Sequence, residues 1–497
     1  MTDMLARVAG EIGRTYPLII NSQRIETGHR TASRNPAKLS QVIGNVCDAP
    51  VEMVDRAVTA ATDAFAYWSR VPVEMRSRYL LKASAILRRR SYEFAAWIVM
   101  ESSKNWYEAY SDVAEAVDFM EFYAREAIRC QEAPGTTAWP GEANENMLLP
   151  LGVGAIIAPW NFPLAILVGM TCAAVVTGNT VVMKPAEQTP VVAAKFLELL
   201  ESASFPAGVV NLIFGPGEVV GDALVTHPGV RFICFTGSKE VGLQINHRAA
   251  EPNPNQRWIK KVILEMGGKN AIVVDDDVNL EIAASEVIVS AFGFQGQKCS
   301  ACSRLIVLEK AYDALLAKII ERAAKLTVGD PINFSNYMGA VIDDAAYKKI
   351  TQYIAVGRNE GRLALGGNDS ADTNDGGYFI HPTIFADVAP TSRIAQEEIF
   401  GPVLSVMKAA NFEEAMHMAN STNFGLTGAV YSNNRAHLEM ARQEFFVGNL
   451  YLNRKCTGAL VDVQPFGGFN LSGTNSKAGG RDYLRLFLQT KSICERW

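Results

Sequence analysis

The chain has 497 residues, 48% of them hydrophobic and 20% charged, with 47 Lys and Arg against 52 Asp and Glu. That is ordinary globular usage, and it excludes a disordered, collagenous or disulfide-scaffold protein. The formal charge of −5 leaves no basic surplus for a nucleic-acid partner, and at roughly 150 residues per folding unit the length predicts about three units.

Eight cysteines, at 47, 130, 172, 234, 299, 302, 456 and 494, are scattered and read as reduced thiols of a cytoplasmic chain. Met1-Thr2-Asp3-Met4 lacks the basic-then-apolar pattern of a signal peptide. Residues 146–183 carry no charge, a run of 38. Pro150, Pro159 and Pro163 interrupt it, and its longest helical piece, 164–177, is too short to cross about 30 Å of hydrocarbon. It reads as buried core, so no membrane partner is expected.

The first 130 residues read as largely helical. Val54, Ala57, Val58, Ala61 and Phe65 follow the i, i+3, i+4, i+7 spacing of an amphipathic helix, and further helices are predicted near 75–92 and 108–128. Residues 130–150 are polar and turn-rich, an excursion with the look of a hairpin. From 150 to 265 short apolar runs at 154–158, 180–183, 209–214, 232–235 and 262–264 predict strands. Helices are predicted between them near 164–177, 190–201, 217–226 and 238–250. Thr189-Pro190 is a good helix start, with Thr as cap and Pro in the first turn. Strands flanked by helices imply a parallel, doubly wound sheet, whose ligands sit at the carboxyl ends of the strands. A second alternating block runs from 268 to about 460, with strands at 271–274, 305–308, 428–431 and 449–452 and helices at 280–292 and 311–325. Residues 361–368 and 372–377 read as turns. No internal repeat is present.

Several loops beyond these strands hold reactive residue types. No G-x-G-x-x-G follows a strand. Gly215-Pro216-Gly217 with Gly221, and Gly237 with Gly242, either make tight turns or bring backbone N–H groups to a pyrophosphate at a helix start. Lys184 and Glu187 lie past the strand 180–183, where Glu187 is either a solvated loop acid or an acceptor for ribose hydroxyls. Cys299, in Phe294-Gln295-Gly296-Gln297-Lys298-Cys299-Ser300, sits in a loop just past a helix, and Lys298 beside it would favour the thiolate. Cys302 raises two rival readings, a redox dithiol or half a zinc site, but the six histidines are dispersed and no second Cys pair completes a metal centre. Glu265 ends a strand before Met266-Gly267-Gly268-Lys269. Partly desolvated, it would have a raised pKa and serve as a general base; solvated, it is an ordinary strand-end acid. Asn161 stands between Pro159 and Pro163, either as a turn residue or as a preorganised donor to an oxyanion. Glu398, in Glu397-Glu398-Ile399-Phe400-Gly401-Pro402, would alone read as surface.

Taken together these segments resemble the aldehyde dehydrogenase superfamily. The motifs at 159–163, 183–190, 235–242, 264–269, 294–299, 397–403 and 465–468 match in the family's order, and the resemblance covers essentially the whole chain. It implies an α/β fold of two doubly wound domains with a small β oligomerisation element. By resemblance, 1–128 and 151–264 would form an NAD-binding domain, 265–460 a catalytic domain, and 129–150 with 478–497 the oligomerisation element of a homodimer or larger homo-oligomer. Cys299 would be the nucleophile, Glu265 the deacylating base and Asn161 the oxyanion donor, working with the Cys299 N–H. Ala158, Pro159, Trp160, Lys184, Glu187, Gly217, Gly221, Gly237, Ser238, Glu398 and Phe400 would contact NAD, and a carboxylate at Glu187 disfavours NADP. A narrower resemblance, carried by Ser300, Thr457-Gly458-Ala459 and Gln464-Pro465-Phe466-Gly467-Gly468, is to the branch that oxidises glutamate γ-semialdehyde in proline breakdown. It implies that Ser300 and the Gly458 and Ala459 amides hold the substrate carboxylate, with Phe162 and Phe466 nearby. Another semialdehyde or an aminoaldehyde is the alternative substrate. A non-catalytic protein reusing the fold is the alternative from a different class. Ser103, in Glu101-Ser102-Ser103-Lys104, stands where relatives often have Gly.

Overall fold

Apolar runs bounded by helices become strands with both faces covered. The computed structural model describes residues 1–131, 135–367 and 376–497. Its first sheet has seven strands in the order Lys261–Glu265, Val230–Thr236, Val153–Ile157, Thr180–Lys184, Val210–Leu212, Leu18–Ile20 and Gln23–Ile25. The first five are parallel, and the last two run antiparallel at one edge. Every residue of Val153–Ile157 and Thr180–Lys184 is buried, as helices on both faces of a parallel sheet require. From Val153–Ile157 the chain winds outward in one direction and then returns to Val230–Thr236 on the other side. That reversal opens a crevice at the carboxyl ends of these two strands, the place where such sheets take ligands.

The second sheet also has seven strands, in the order Arg362–Leu365, Thr383–Ala386, Val403–Ala409, Cys302–Leu308, Asn270–Val274, Thr427–Tyr431 and Asn449–Leu452. All neighbours are parallel except Arg362–Leu365. Only residues 266–269 separate the last strand of the first sheet from Asn270–Val274 of the second. The carboxyl edge of one sheet is thereby brought to the amino edge of the other. Cys299 lies just before Cys302–Leu308, and Glu398 just before Val403–Ala409, so both loops open onto that junction.

Several expectations need correction. Five strands between Arg14 and Cys47 precede the first long helices; three of them are only three residues long and show no apolar alternation. In the helix Val51–Trp68 the stripe through Val54, Ala57, Val58 and Ala61 is buried, but Ala64 and Trp68 complete it in place of Phe65. The predicted helix at 217–226 is a π-helical turn, Gly217–Gly221, followed by Asp222–Thr226. Arg362–Leu365 is an edge strand, not a turn; most of the turn expected at 372–377 lies outside the described residues. Among the described residues of 130–150, only a single backbone bridge, Trp139–Glu142, turns the segment back on itself. Glu142–Pro150 pairs antiparallel with Leu488–Arg496, a partner hundreds of residues away that no local pattern reveals. Tyr483, Leu484 and Phe487 pack in the core of the first sheet. Among the described residues no helix is long and apolar enough to cross a membrane.

Pro190–Ser202 begins with Pro as predicted, but Thr189 makes no side-chain cap and its hydroxyl has no partner. The buried Glu101 caps this helix instead. It accepts from Val191 N at 2.8 Å, Val192 N at 2.9 Å and Ser33 Oγ at 2.8 Å. Glu101→Ala leaves two helix N–H groups buried and unpaired, and should lower the unfolding free energy by about 3 kcal/mol. Thr189→Ala removes no bond and should cost under about 1 kcal/mol. Urea denaturation of the two variants checks the assignment; equal losses would refute it.

Candidate active site

The helix Leu280–Phe292 ends in a turn, Gly293–Gly296, whose backbone sets the site. Phe294, Gln295 and Gly296 are all left-handed, with φ of +48°, +56° and +67°. For two non-glycine residues such conformations cost about 1–3 kcal/mol each and persist only where the surroundings impose them. Gln295 Nε2 donates to Ser103 O at 3.1 Å and Ala340 O at 2.8 Å, and Ile342 N donates to Gln297 Oε1 at 3.0 Å. At Gly296 an added Cβ would meet Gly401 O at 2.3 Å. The loop is thus clamped on three sides before it reaches Cys299, whose carbonyl accepts from Asn270 Nδ2 at 2.7 Å.

Cys299 is half-buried. Burial, then the carboxylates of Glu265 and Glu398, push its thiol up to about 12. The expected help from Lys298 is absent because its ammonium is paired with Glu108 at 2.6 Å. Cys302, just inside the strand, lies with its Sγ 3.3 Å from Arg304 O and against the Cys456 thiol. All eight cysteines are free thiols. Among the described residues no three His, Cys, Asp or Glu side chains gather as metal ligands.

Two further loops converge on the thiol. Ala158 N donates to Lys184 O at 3.2 Å at the end of the first sheet, and the chain turns through Pro159 and Trp160 to the buried Asn161. Asn161 Nδ2 donates to Gln297 O at 3.0 Å, which sets its amide against the Cys299 loop with one N–H to spare. Trp160 meets Phe294 and Phe400 edge-on at 6.4 Å and 5.5 Å. Glu265 ends its strand with one carboxylate oxygen bonded by Ser476 Oγ, while Oε2 is buried without a partner. Burial pushes this carboxyl up to about 7, against the pull of Ser476 and Lys477. Glu398 Oε1 accepts from Gly268 N at 2.9 Å, and burial raises its carboxyl as well. Gly267 permits this approach, since a Cβ there would lie 2.2 Å from the Glu398 carboxylate.

The remaining predicted residues surround this centre. Lys184 Nζ is buried, bonded to Pro185 O at 3.2 Å and 3.6 Å from Glu187; loss of hydration holds its ammonium below the usual lysine range. Exposed Glu187 accepts from Gly217 N at 2.7 Å, and Gly221 rests on the Lys184 stem. Gly237 N donates to Glu265 O at 3.1 Å, and Ser238 caps Lys239–Ala250 through Val241 N at 3.2 Å. Lys184, Glu187 and Gly217 form their own group at the neighbouring strand ends. Ser300 O accepts from Thr427 Oγ1 and Cys456 Sγ, each at 3.4 Å. Arg454 donates to Thr457 O and Gly458 O, both at 3.1 Å. In a trans peptide the N–H points opposite to its carbonyl, so the Gly458 and Ala459 N–H groups face away from Arg454. Phe466 is held by backbone pairing with Ala478, and Phe162 lies beneath the Lys104 ammonium, 3.8 Å from the ring centroid.

Sequence reasoning missed Ser476, Asn270, Gln295 and the Lys104–Asp112 pair. Ser476 and Asn270 carry no local signal, since each acts on a residue far away in the chain.

The model of the aldehyde dehydrogenase family matches residues 24–493, and the chain belongs to that family. It is 55% identical over 491 residues to 1-pyrroline-5-carboxylate dehydrogenase of Geobacillus thermodenitrificans, covering 99% of this chain and 95% of the relative. To that of Geobacillus kaustophilus it is 54% identical over 492 residues, with the same coverage. The solved structure of 1-pyrroline-5-carboxylate dehydrogenase from Thermus with bound NAD superposes with a TM-score of 0.98 at 52% identity, covering 100% of this chain and 95% of that one. A betaine aldehyde dehydrogenase from Staphylococcus aureus in complex with NAD+ superposes with a TM-score of 0.94 at 29% identity, covering 99% of this chain and 97% of that one.

Burial and, after it, the negative charge of Glu265 push the Cys299 thiol up, so removing that charge should lower its pKa. In a Cys494→Ser background, which silences the one exposed thiol, iodoacetamide should alkylate Cys299 severalfold faster at pH 8 when Glu265 is replaced by Gln. An unchanged rate-against-pH profile would show that the two groups do not sense each other.

Proposed function

We propose that this chain oxidises glutamate γ-semialdehyde, the open form of 1-pyrroline-5-carboxylate, to glutamate with NAD, in proline breakdown. The 55% identity over nearly the whole chain to a relative of that name carries this conclusion, and the arrangement of one thiol, one amide and one buried carboxyl supports it.

The strand-end residues fit a dinucleotide. Lys184 keeps donor capacity beyond its single carbonyl bond, Glu187 presents an exposed carboxylate, and a Cβ at Gly217 would meet nothing closer than 3.7 Å. Lys184 and Glu187 would hold the adenosine ribose, where the carboxylate would repel a 2′-phosphate. Ser238, at the start of Lys239–Ala250, would meet the pyrophosphate. Gly221, where an added Cβ would meet nothing closer than 3.7 Å, and Gly237, packed on the Phe235 ring, would lie beside it, while Ala158, Pro159 and Trp160 would line its path. Glu398 would hold the nicotinamide ribose, with Phe400 packed beside it. Residues 1–128 and 151–264 would thus bind the coenzyme and 265–460 carry the chemistry.

Cys299 Sγ gives its proton up to solvent and attacks the aldehyde carbon as the thiolate. Oxyanion charge develops on the substrate and is met by Asn161 Nδ2 and the Cys299 N–H; one such donor is worth about 3 kcal/mol. NAD, when bound, supplies the oxidised nicotinamide that accepts the hydride. Cys299 then carries the acyl group as a thioester. Glu265, about half ionised near neutral pH, takes a proton from the hydrolysing water, and its unpartnered Oε2 is the atom available to do so. Ser300 and the Gly458 and Ala459 N–H groups would anchor the α-carboxylate without an arginine, while Phe162 and Phe466 flank the aliphatic chain. We also propose homo-oligomers assembled through the ribbon of Glu142–Pro150 and Leu488–Arg496. The free thiols favour a reducing compartment, and we place the protein in the cytoplasm.

NADH absorbance tests this. Glutamate semialdehyde should exceed succinic semialdehyde or an aminoaldehyde at least about tenfold in kcat/KM, because unmatched polar groups would be left in the pocket; equal turnover would favour another semialdehyde as substrate. Cys299→Ala should abolish turnover while NAD still raises Tm. Glu265→Gln should give one burst of NADH and then slow turnover, and a full steady-state rate would exclude it as the deacylating base.

A further inference from the structure

A fully buried ion pair joins Lys104 Nζ to Asp112 Oδ2 at 2.7 Å, with both side chains 0% exposed. Such a pair is poor evidence of stability, because desolvation offsets its attraction, so its surroundings matter more than its strength. The Lys104 ammonium lies 3.8 Å from the Phe162 ring centroid and 4.8 Å from that of Phe294. Phe162 adjoins Asn161, and Phe294 is the first left-handed residue of the Cys299 loop. Asp112 Oδ1 accepts from Ala165 N at 2.7 Å, at the start of the helix Ala165–Val176 into which the Asn161 loop runs. Next to Lys104, Ser103 O accepts from Gln295 Nε2 at 3.1 Å, and Ser103 Oγ accepts from Ala340 N at 2.8 Å. One cation thus sits against a ring from each loop, and its counterion pins the helix that follows one of them.

We propose that Lys104 and Asp112 are positioning residues that set the Asn161 amide against the Cys299 loop, neither of them touching substrate. This rests on Asn161 acting as the oxyanion donor. The hydrogen bond from Asn161 to Gln297 O and the edge-on contact of Trp160 with Phe294 join the two loops at and before Asn161; the cation between Phe162 and Phe294 adds a contact from the residue after it, which stops the loops from rocking about the first two.

The test replaces the pair without unpairing a charge. In Lys104→Met/Asp112→Asn, Asn still accepts from Ala165 N, and removal of a buried pair together leaves the fold intact or firmer, as the NAD-induced rise in Tm would report. The NADH burst rate and kcat should fall about ten- to hundredfold, with KM for the aldehyde and NAD affinity little changed. If the double variant does not fold, Phe294→Leu, which removes one of the two rings while leaving the ion pair intact, is read in the same way. In an Asn161→Ala background the same replacement should add under about threefold, since coupled residues are not additive. A wild-type burst in Asn161→Ala would overturn the oxyanion assignment on which this rests. A slow Asn161→Ala that the pair replacement slows by its full factor again would overturn the positioning role alone, as would an unchanged burst in the pair variant.

Discussion

The short crossing between the two sheets is the constraint on which the site depends. With four residues between Glu265 and Asn270, the end of one parallel sheet cannot drift from the start of the other. Everything reactive is mounted on that junction: Asn161 and Glu265 at the carboxyl edge of the first sheet, Cys299 and Glu398 in loops feeding strands of the second. Gly267 is part of the constraint, because a side chain there would displace the Glu398 carboxylate. Asn270 serves both purposes, opening a strand with its backbone while its Nδ2 holds the Cys299 and Ala301 carbonyls at 2.7 and 2.9 Å.

The electrostatics keep the thiol quiet in the protein alone. Two acids face Cys299 and the nearest cation in sequence, Lys298, is taken by Glu108. Burial then raises the carboxyl of Glu265 to about 7, a value suited to exchanging protons near neutral pH. The burial that suppresses a free thiolate also raises the carboxyl of Glu265 into the range that suits a base toward water. Reactivity would therefore arise when substrate and coenzyme enter, a form of protection for a sulfur that would otherwise oxidise or alkylate.

Several strands inside the sheets were legible because they are buried on both faces, and so read as apolar runs: 154–158 was expected and Val153–Ile157 found, 271–274 expected and Asn270–Val274 found. Arg362–Leu365 and the three-residue strands before Cys47 were not, because their residues are partly exposed or too few to make a run and their identity as strands comes from a partner. The same division holds in the site. Cys299, Asn161 and Glu265 stood out as reactive types in loops, with the family resemblance choosing among their readings, whereas Thr189 looked like a helix cap and Glu101, 88 positions before it in the chain, performs that role. Lys298 was misjudged for the same reason: adjacency in sequence says nothing of which carboxylate the ammonium will meet. Left-handed Phe294 and Gln295 could not be foreseen at all, since neither residue type favours that conformation.

The late segment Tyr483–Phe487 lies in the core of the first sheet, and Asn179 Nδ2 donates to Phe487 O across 308 positions. A ribosome must therefore synthesise the entire second sheet before the first can close. The two sheets are in this sense one cooperative body threaded twice, and an early fragment released on its own would display an unfinished apolar surface, a lure for chaperones and a seed for aggregation.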